Sequence, residues 1–127
     1  MKKLIAVILL SAGISMAARA QIIQKSPEQR AAHITRVLQK TLNLTADQAT
    51  QINAAFFERA TRMDSLKSSP ASDKRTRRIA KRSIVLKAQS KVMAVLNNEQ
   101  QQLFMQWENK IKEKHSEKKS QNIPSQG

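Results

Sequence analysis

Three short strings fix where helices begin, and nothing else in the sequence constrains the fold as much. Ser26-Pro27-Glu28-Gln29, Thr45-Ala46-Asp47-Gln48 and Asn97-Asn98-Glu99-Gln100 each set a small oxygen-bearing side chain three residues before a Gln. The first side chain accepts a bond from a first-turn N–H, and the Gln reaches back to the cap's own N–H. Each box contributes about 1 kcal/mol to fixing a helix start. Pro27 adds to the first, because a missing N–H costs nothing at the opening helical position. Gly is only 2 and Pro only 3 in 127 residues, so the helices that start have few residues to stop them. The same scarcity of Gly removes the loops that cradle phosphates or dinucleotides.

Apolar spacing continues the helices from these starts. The pattern predicts a first helix over 27–41, with Ala31, Ile34, Val37, Leu38 and Leu42 on one face. It predicts a second over 46–67, with the stripe Ala49, Ile52, Phe56, Ala60, Met63 and Leu66. Ser68-Ser69-Pro70-Ala71-Ser72 reads as a turn. A third helix follows over 73–96, and a fourth over 98–117 carries Leu103, Phe104, Trp107 and Ile111. Residues 118–127 hold no apolar pattern and read as a polar, disordered tail. The fold class is therefore all-α, with about four helices in one domain over 21–117.

The third helix is apolar over too wide an arc. Ile84, Val85, Ala88, Val92, Val95 and Leu96 span one face, and Ile79, Leu86 and Met93 extend it. That is roughly 220°, against the ~100° that one surface helix needs. Either two helices of the same chain or a second subunit must cover it. A chain this short is marginal for a self-sufficient core, and two-fold pairing is the commonest remedy. A homodimer is expected.

Residues 1–20 read as an address. Lys2 and Lys3 precede an apolar run from Leu4 to Leu10, and Ala18-Arg19-Ala20 is a small-x-small site before polar Gln21. This is the pattern of a secretory signal peptide cleaved after Ala20. The run is too short for a spanning helix, so no stable membrane insertion is expected after cleavage. The mature chain stays strongly basic. Cys is 0, which excludes disulfides, thiolate metal sites and thiol catalysis.

Leu44-Thr45-Ala46-Asp47-Gln48 and Leu96-Asn97-Asn98-Glu99-Gln100 resemble the two LTxxQ motifs of the CpxP/Spy family of periplasmic stress proteins. The first copy matches fully at Leu44, Thr45 and Gln48. The second matches at Leu96 and Gln100 and has Asn97 in place of Thr, a conservative exchange for a helix cap. The resemblance covers roughly residues 27–117. It implies bent helical hairpins in a thin, antiparallel, cradle-like homodimer. It implies a periplasmic chaperone that binds unfolded or misfolded proteins without ATP during envelope stress. Some family members restrain a two-component sensor kinase, and one branch binds zinc, so an adaptor docking on a sensor kinase's periplasmic domain is the alternative. A polyanion- or metal-binding envelope protein is a third.

The residues offer binding surfaces and no catalytic set. Lys74, Arg75, Arg77, Arg78, Lys81, Arg82, Lys87 and Lys91 crowd the third helix, with Asp73 the sole acid nearby. Arg75, Arg77, Arg78, Lys81 and Arg82 are the candidate surface for acidic clients or partners. A solvated face that keeps the protein soluble is the competing reading. Nucleic acid is not an expected partner, because the leader exports the chain and no aromatic residue falls between Asp73 and Leu96 for base stacking. Phe57 and Met105 lie off the main stripes of their helices, either as a client-contact patch or as dimer packing. Arg59 falls within the second helix's apolar arc, where its stem can cover the core while its head snorkels to water, the favoured reading, or where it marks the rim of a binding surface.

His33 and His115 are the only histidines and sit far apart in sequence, too few for zinc's three or four ligands. No metal and no cofactor is expected. No nucleophile has an adjacent base and orienting group, so no enzyme activity is expected. Glu28, Asp47, Asp73 and Glu99 fall in first turns or caps, a dipole role. Glu58 and Arg62 form an i,i+4 pair.

Overall fold

The computed structural model describes residues 24–69 and 73–122. The expected leader with its cleavage after Ala20, part of the Ser68–Ser72 turn, and residues 123–127 lie outside the described residues. Among those described there are four helices and no strand: α1 Pro27–Leu42, α2 Ala46–Ser68, α3 Lys74–Val95 and α4 Asn98–Gln121.

All three boxes close in both directions. Ser26, Thr45 and Asn97 each accept from the backbone N–H of the Gln three residues on, and each Gln side chain accepts from the cap N–H. α3 starts one residue later than expected because Asp73 serves as its cap, accepting from the Thr76 N–H at 2.7 Å. That bond holds the Asp73 carboxyl below the usual carboxylate range. α4 runs on to Gln121, past the expected end at 117, so 118–121 are helical rather than loose. These residues are exposed. Glu, Lys and Gln are good helix formers and carry the helix on without an apolar face.

The turn from α1 to α2 rests on one residue. Asn43 adopts the left-handed conformation, φ 53 and ψ 55, and its N–H closes on the Gln39 carbonyl. Leu44 N–H reaches the same carbonyl at 3.3 Å, and the Leu44 side chain then folds into the core. Asn tolerates this conformation, whereas a β-branched residue does not. Asn43→Val is expected to cost about 1–2 kcal/mol in urea unfolding, and Asn43→Gly should be close to neutral.

The core draws on every helix: Ala31, Leu38 and Leu42 from α1, Ile52, Ala55 and Phe56 from α2, Val92 from α3, Phe104 from α4, with Leu44 and Leu96 from the turns. Leu38, Ile52, Val92 and Phe104 are fully buried. Each such side chain stabilises the fold by about 1.5–3 kcal/mol relative to exposure. α2 packs against α1 on one side and α3 on the other, and α4 returns to pack on α1. Exposed ion pairs add little to this. Arg30 meets Asp64 between α1 and α2, and Glu58 of α2 holds Arg62 at 2.9 Å together with Lys87 and Lys91 of α3. Lys91, the nearest of the three, keeps the Glu58 carboxyl below its ordinary range.

Among the described residues, α3's broad arc is covered only in part. Ala88 and Val92 are buried, and Ile84, Val85, Met93 and Val95 are half-buried. Ile79 and Leu86 remain 61% and 50% exposed.

Candidate functional site

The two motifs meet at one end of the molecule. Gln48 and Gln100 face each other as an amide pair: Gln48 Nε2 donates to Gln100 Oε1 at 2.8 Å, and Gln100 Nε2 donates back to Gln48 Oε1 at 3.1 Å. Each uses its second N–H on the carbonyl that ends a different helix. Gln48 donates to Val95 O at 3.1 Å, and Gln100 to Leu42 O at 3.3 Å. Each Oε1 also accepts from its own cap N–H, at 3.0 Å from Thr45 and 3.1 Å from Asn97. Both amides are thus saturated, with two donors and two acceptors used. They satisfy carbonyls at helix C-termini that would otherwise lack partners. Leu44 and Leu96 are buried beside them. Leu44, Thr45, Gln48, Leu96, Asn97 and Gln100 therefore form a structural junction rather than an exposed binding site. The cap role was legible from local spacing; the pairing of the two glutamines was not. The available signal was the NH2 group that each Gln has left after capping.

The candidate basic surface divides in two. Lys87 and Lys91, which have no acidic partner within α3, are engaged across the helix interface by Glu58. Intrahelical spacing cannot reveal a partner on another helix. Arg75, Arg77, Arg78, Lys81 and Arg82 have no carboxylate within 4.0 Å among the described residues. Arg77 is half-buried and the other four are exposed. Helical spacing sets Arg75, Ile79, Arg82 and Leu86 along the outer face of α3, so the two exposed apolar side chains sit among free cations. Phe57 and Met105 are 39% and 44% exposed on α2 and α4, and neither lines a described cavity.

A groove opens where α4 crosses α1 and α3. It has a volume of about 520 Å³. Val37, Val85, Trp107 and Ile111 supply apolar walls, and His33, Glu108, Lys112 and His115 also line it. Both histidines thus come to one groove, although 33 and 115 are remote in sequence. No group of three or more His, Cys, Asp or Glu that could hold a metal ion occurs among the described residues.

Arg59 also lines this groove. It is half-buried and makes neither a side-chain hydrogen bond nor an ion pair among the described residues. Burial lowers its pKa, opposed by the charge of Glu108. The Glu108 carboxylate is itself engaged by Gln89 of α3 at 2.8 Å. Arg59 is therefore a partly desolvated cation without a direct counterion among the described residues, an arrangement compatible with a snorkelling head.

No described helix is long and apolar enough to cross a membrane. No family model, curated protein or solved structure matches the chain.

Proposed function

We propose that this chain is an exported periplasmic chaperone that binds non-native proteins without ATP, as its LTxxQ resemblance implies. The observation that carries the reading is the outer face of α3, where Ile79 and Leu86 stand exposed among arginines that lack a carboxylate partner among the described residues. Free cations raise the encounter rate with acidic segments of unfolded chains over a distance of a Debye length. The isolated apolar side chains then hold a client weakly. Weak retention matters because the client must fold while bound or leave. The working unit is a cradle-like homodimer, a reading supported by the incomplete cover of α3 within one chain. No catalytic residue and no cofactor enters this proposal.

The test is suppression of light scattering when two unrelated denatured proteins are diluted into the chaperone without ATP. Both are expected to be protected. Raising salt from low to about 0.5 M should slow capture about tenfold. Phe57→Ser and Leu86→Ser should shorten retention while leaving the capture rate unchanged. Failure to protect either client, with the helical circular dichroism intact, would overturn the proposal. Stoichiometric binding to one sensor domain alone would instead identify a dedicated signalling adaptor.

A further inference from the structure

We propose that the groove between α1, α3 and α4 binds one free long-chain fatty-acid anion, its carboxylate on Arg59 and its chain along Trp107. This is independent of the chaperone reading.

The shape supports an elongated ligand. A second cavity, of about 310 Å³, meets the first groove, and the two share Ile34 and Arg59. Together they form a trough with Arg59 at the junction. The volumes lie in the range of small-ligand sites. The trough is chemically uneven. Beyond Arg59 the second cavity carries Lys67 and Lys81, neither with a carboxylate within 4.0 Å among the described residues. On the other side lie Val37, Val85, Trp107 and Ile111, with His33, Glu108, Lys112 and His115 along the same stretch. The cations at and beyond Arg59 suit a negative head, and the aliphatic and indole walls suit a hydrocarbon tail.

Arg59 selects the head. A half-buried guanidinium without a hydrogen-bond partner among the described residues bears a desolvation cost that the charge of Glu108, itself bonded by Gln89, offsets only in part. A ligand carboxylate can take two of its N–H groups at once. The walls select the tail. A peptide lying there would set part of its backbone N–H and C=O groups against Val37, Val85 and Ile111, which cannot satisfy them. An acyl chain brings no such groups.

Trp107 is the only tryptophan, so its fluorescence reports on the groove alone. Protein expressed from the full sequence is titrated with dibromostearate below its micelle concentration, since bromine quenches a neighbouring indole. Saturable quenching at one equivalent per chain is expected. Arg59→Met should weaken it about tenfold or more, and Arg59→Lys, which keeps the charge and loses the fork, by less. Circular dichroism verifies that each variant is folded, and Arg59→Lys keeps the proposal testable if Arg59→Met is not. Arg75→Gln with Arg82→Gln, on the outer face of α3, should leave quenching unchanged. Four results would each overturn the proposal. They are no quenching, equal quenching by a neutral brominated maltoside detergent, unchanged affinity in folded Arg59 variants, and loss of quenching in the Arg75/Arg82 variant. A dimer by sedimentation that excludes the fatty acid from Trp107 would give the first of these and assign the groove to a second copy.

Discussion

Gln100→Glu is expected to destabilise the protein by about 3–5 kcal/mol at neutral pH, a large share of the ~5–15 kcal/mol typical of a small domain. The substitution preserves size and keeps the capping box, because a carboxylate still accepts from the Asn97 N–H. What it loses is both donors. Gln100 is 7% exposed, and its NH2 group lies between Leu42 O and Gln48 Oε1. A carboxylate there sets negative charge against two acceptors with little water to screen it. At an isolated, solvated capping box the same exchange would be nearly neutral, since Glu and Gln serve equally well. The size of the loss therefore measures the junction and not the cap.

The pH dependence has a definite sign. A carboxyl at this position has a folded-state pKa raised above its unfolded value, because only the protonated form can donate. The destabilisation is then full above the folded pKa and is relieved as the pH falls toward the unfolded one. Urea unfolding of Gln100→Glu at pH 7 and pH 4, each compared with wild type at the same pH, should show a smaller deficit at the lower pH. A double-mutant cycle with Gln48→Ala and Gln100→Ala should give a coupling of about 1–3 kcal/mol. A neutral-pH loss below about 1 kcal/mol, or additive alanine variants, would mean that the amide pair contributes no more than two separate caps.

The junction also shows how far sequence reasoning reaches. Helix starts are set within four residues, and Ser26, Thr45 and Asn97 announce them without help from the rest of the chain. The face of α1 was equally legible, since Leu38 and Leu42 recur at helical spacing. What the sequence leaves open is which surfaces meet. Glu58 looks like the partner of Arg62 alone until α3 brings Lys87 and Lys91 to it. Arg59 reads as a snorkelling side chain or a rim residue until α4 brings Trp107 and Glu108 to the same groove. His33 and His115 look unrelated until the two antiparallel helices place them along one groove. The exposed end of α4 was misjudged for a different reason. A search for apolar periodicity cannot see a helix whose last turns are held by propensity and backbone bonds.

Phe104→Ala is expected to cost about 3–5 kcal/mol and to free α4 before the remaining helices unfold. Phe104 is the one fully buried large apolar side chain of α4 and stacks on Trp107, with ring centroids 5.9 Å apart and planes at 23°. Beyond Ile111 every described residue of α4 is exposed, so little else apolar anchors the helix. Leu38→Ala removes a comparably buried group from α1, which packs against both α2 and α4, and should instead weaken the fold as a unit. The measurement is urea unfolding followed by Trp107 emission and by helicity. In Phe104→Ala the emission should shift to the red at lower urea than the loss of helix, whereas the two curves should coincide in Leu38→Ala. Coincident curves in Phe104→Ala would mean that α4 is no separable unit. Detachment also separates the two proposed surfaces. The groove loses a wall and should no longer retain dibromostearate, while Arg75, Ile79, Arg82 and Leu86 remain in place on α3 and should still capture clients. Loss of both activities together would show that α4 supports α3's outer face as well.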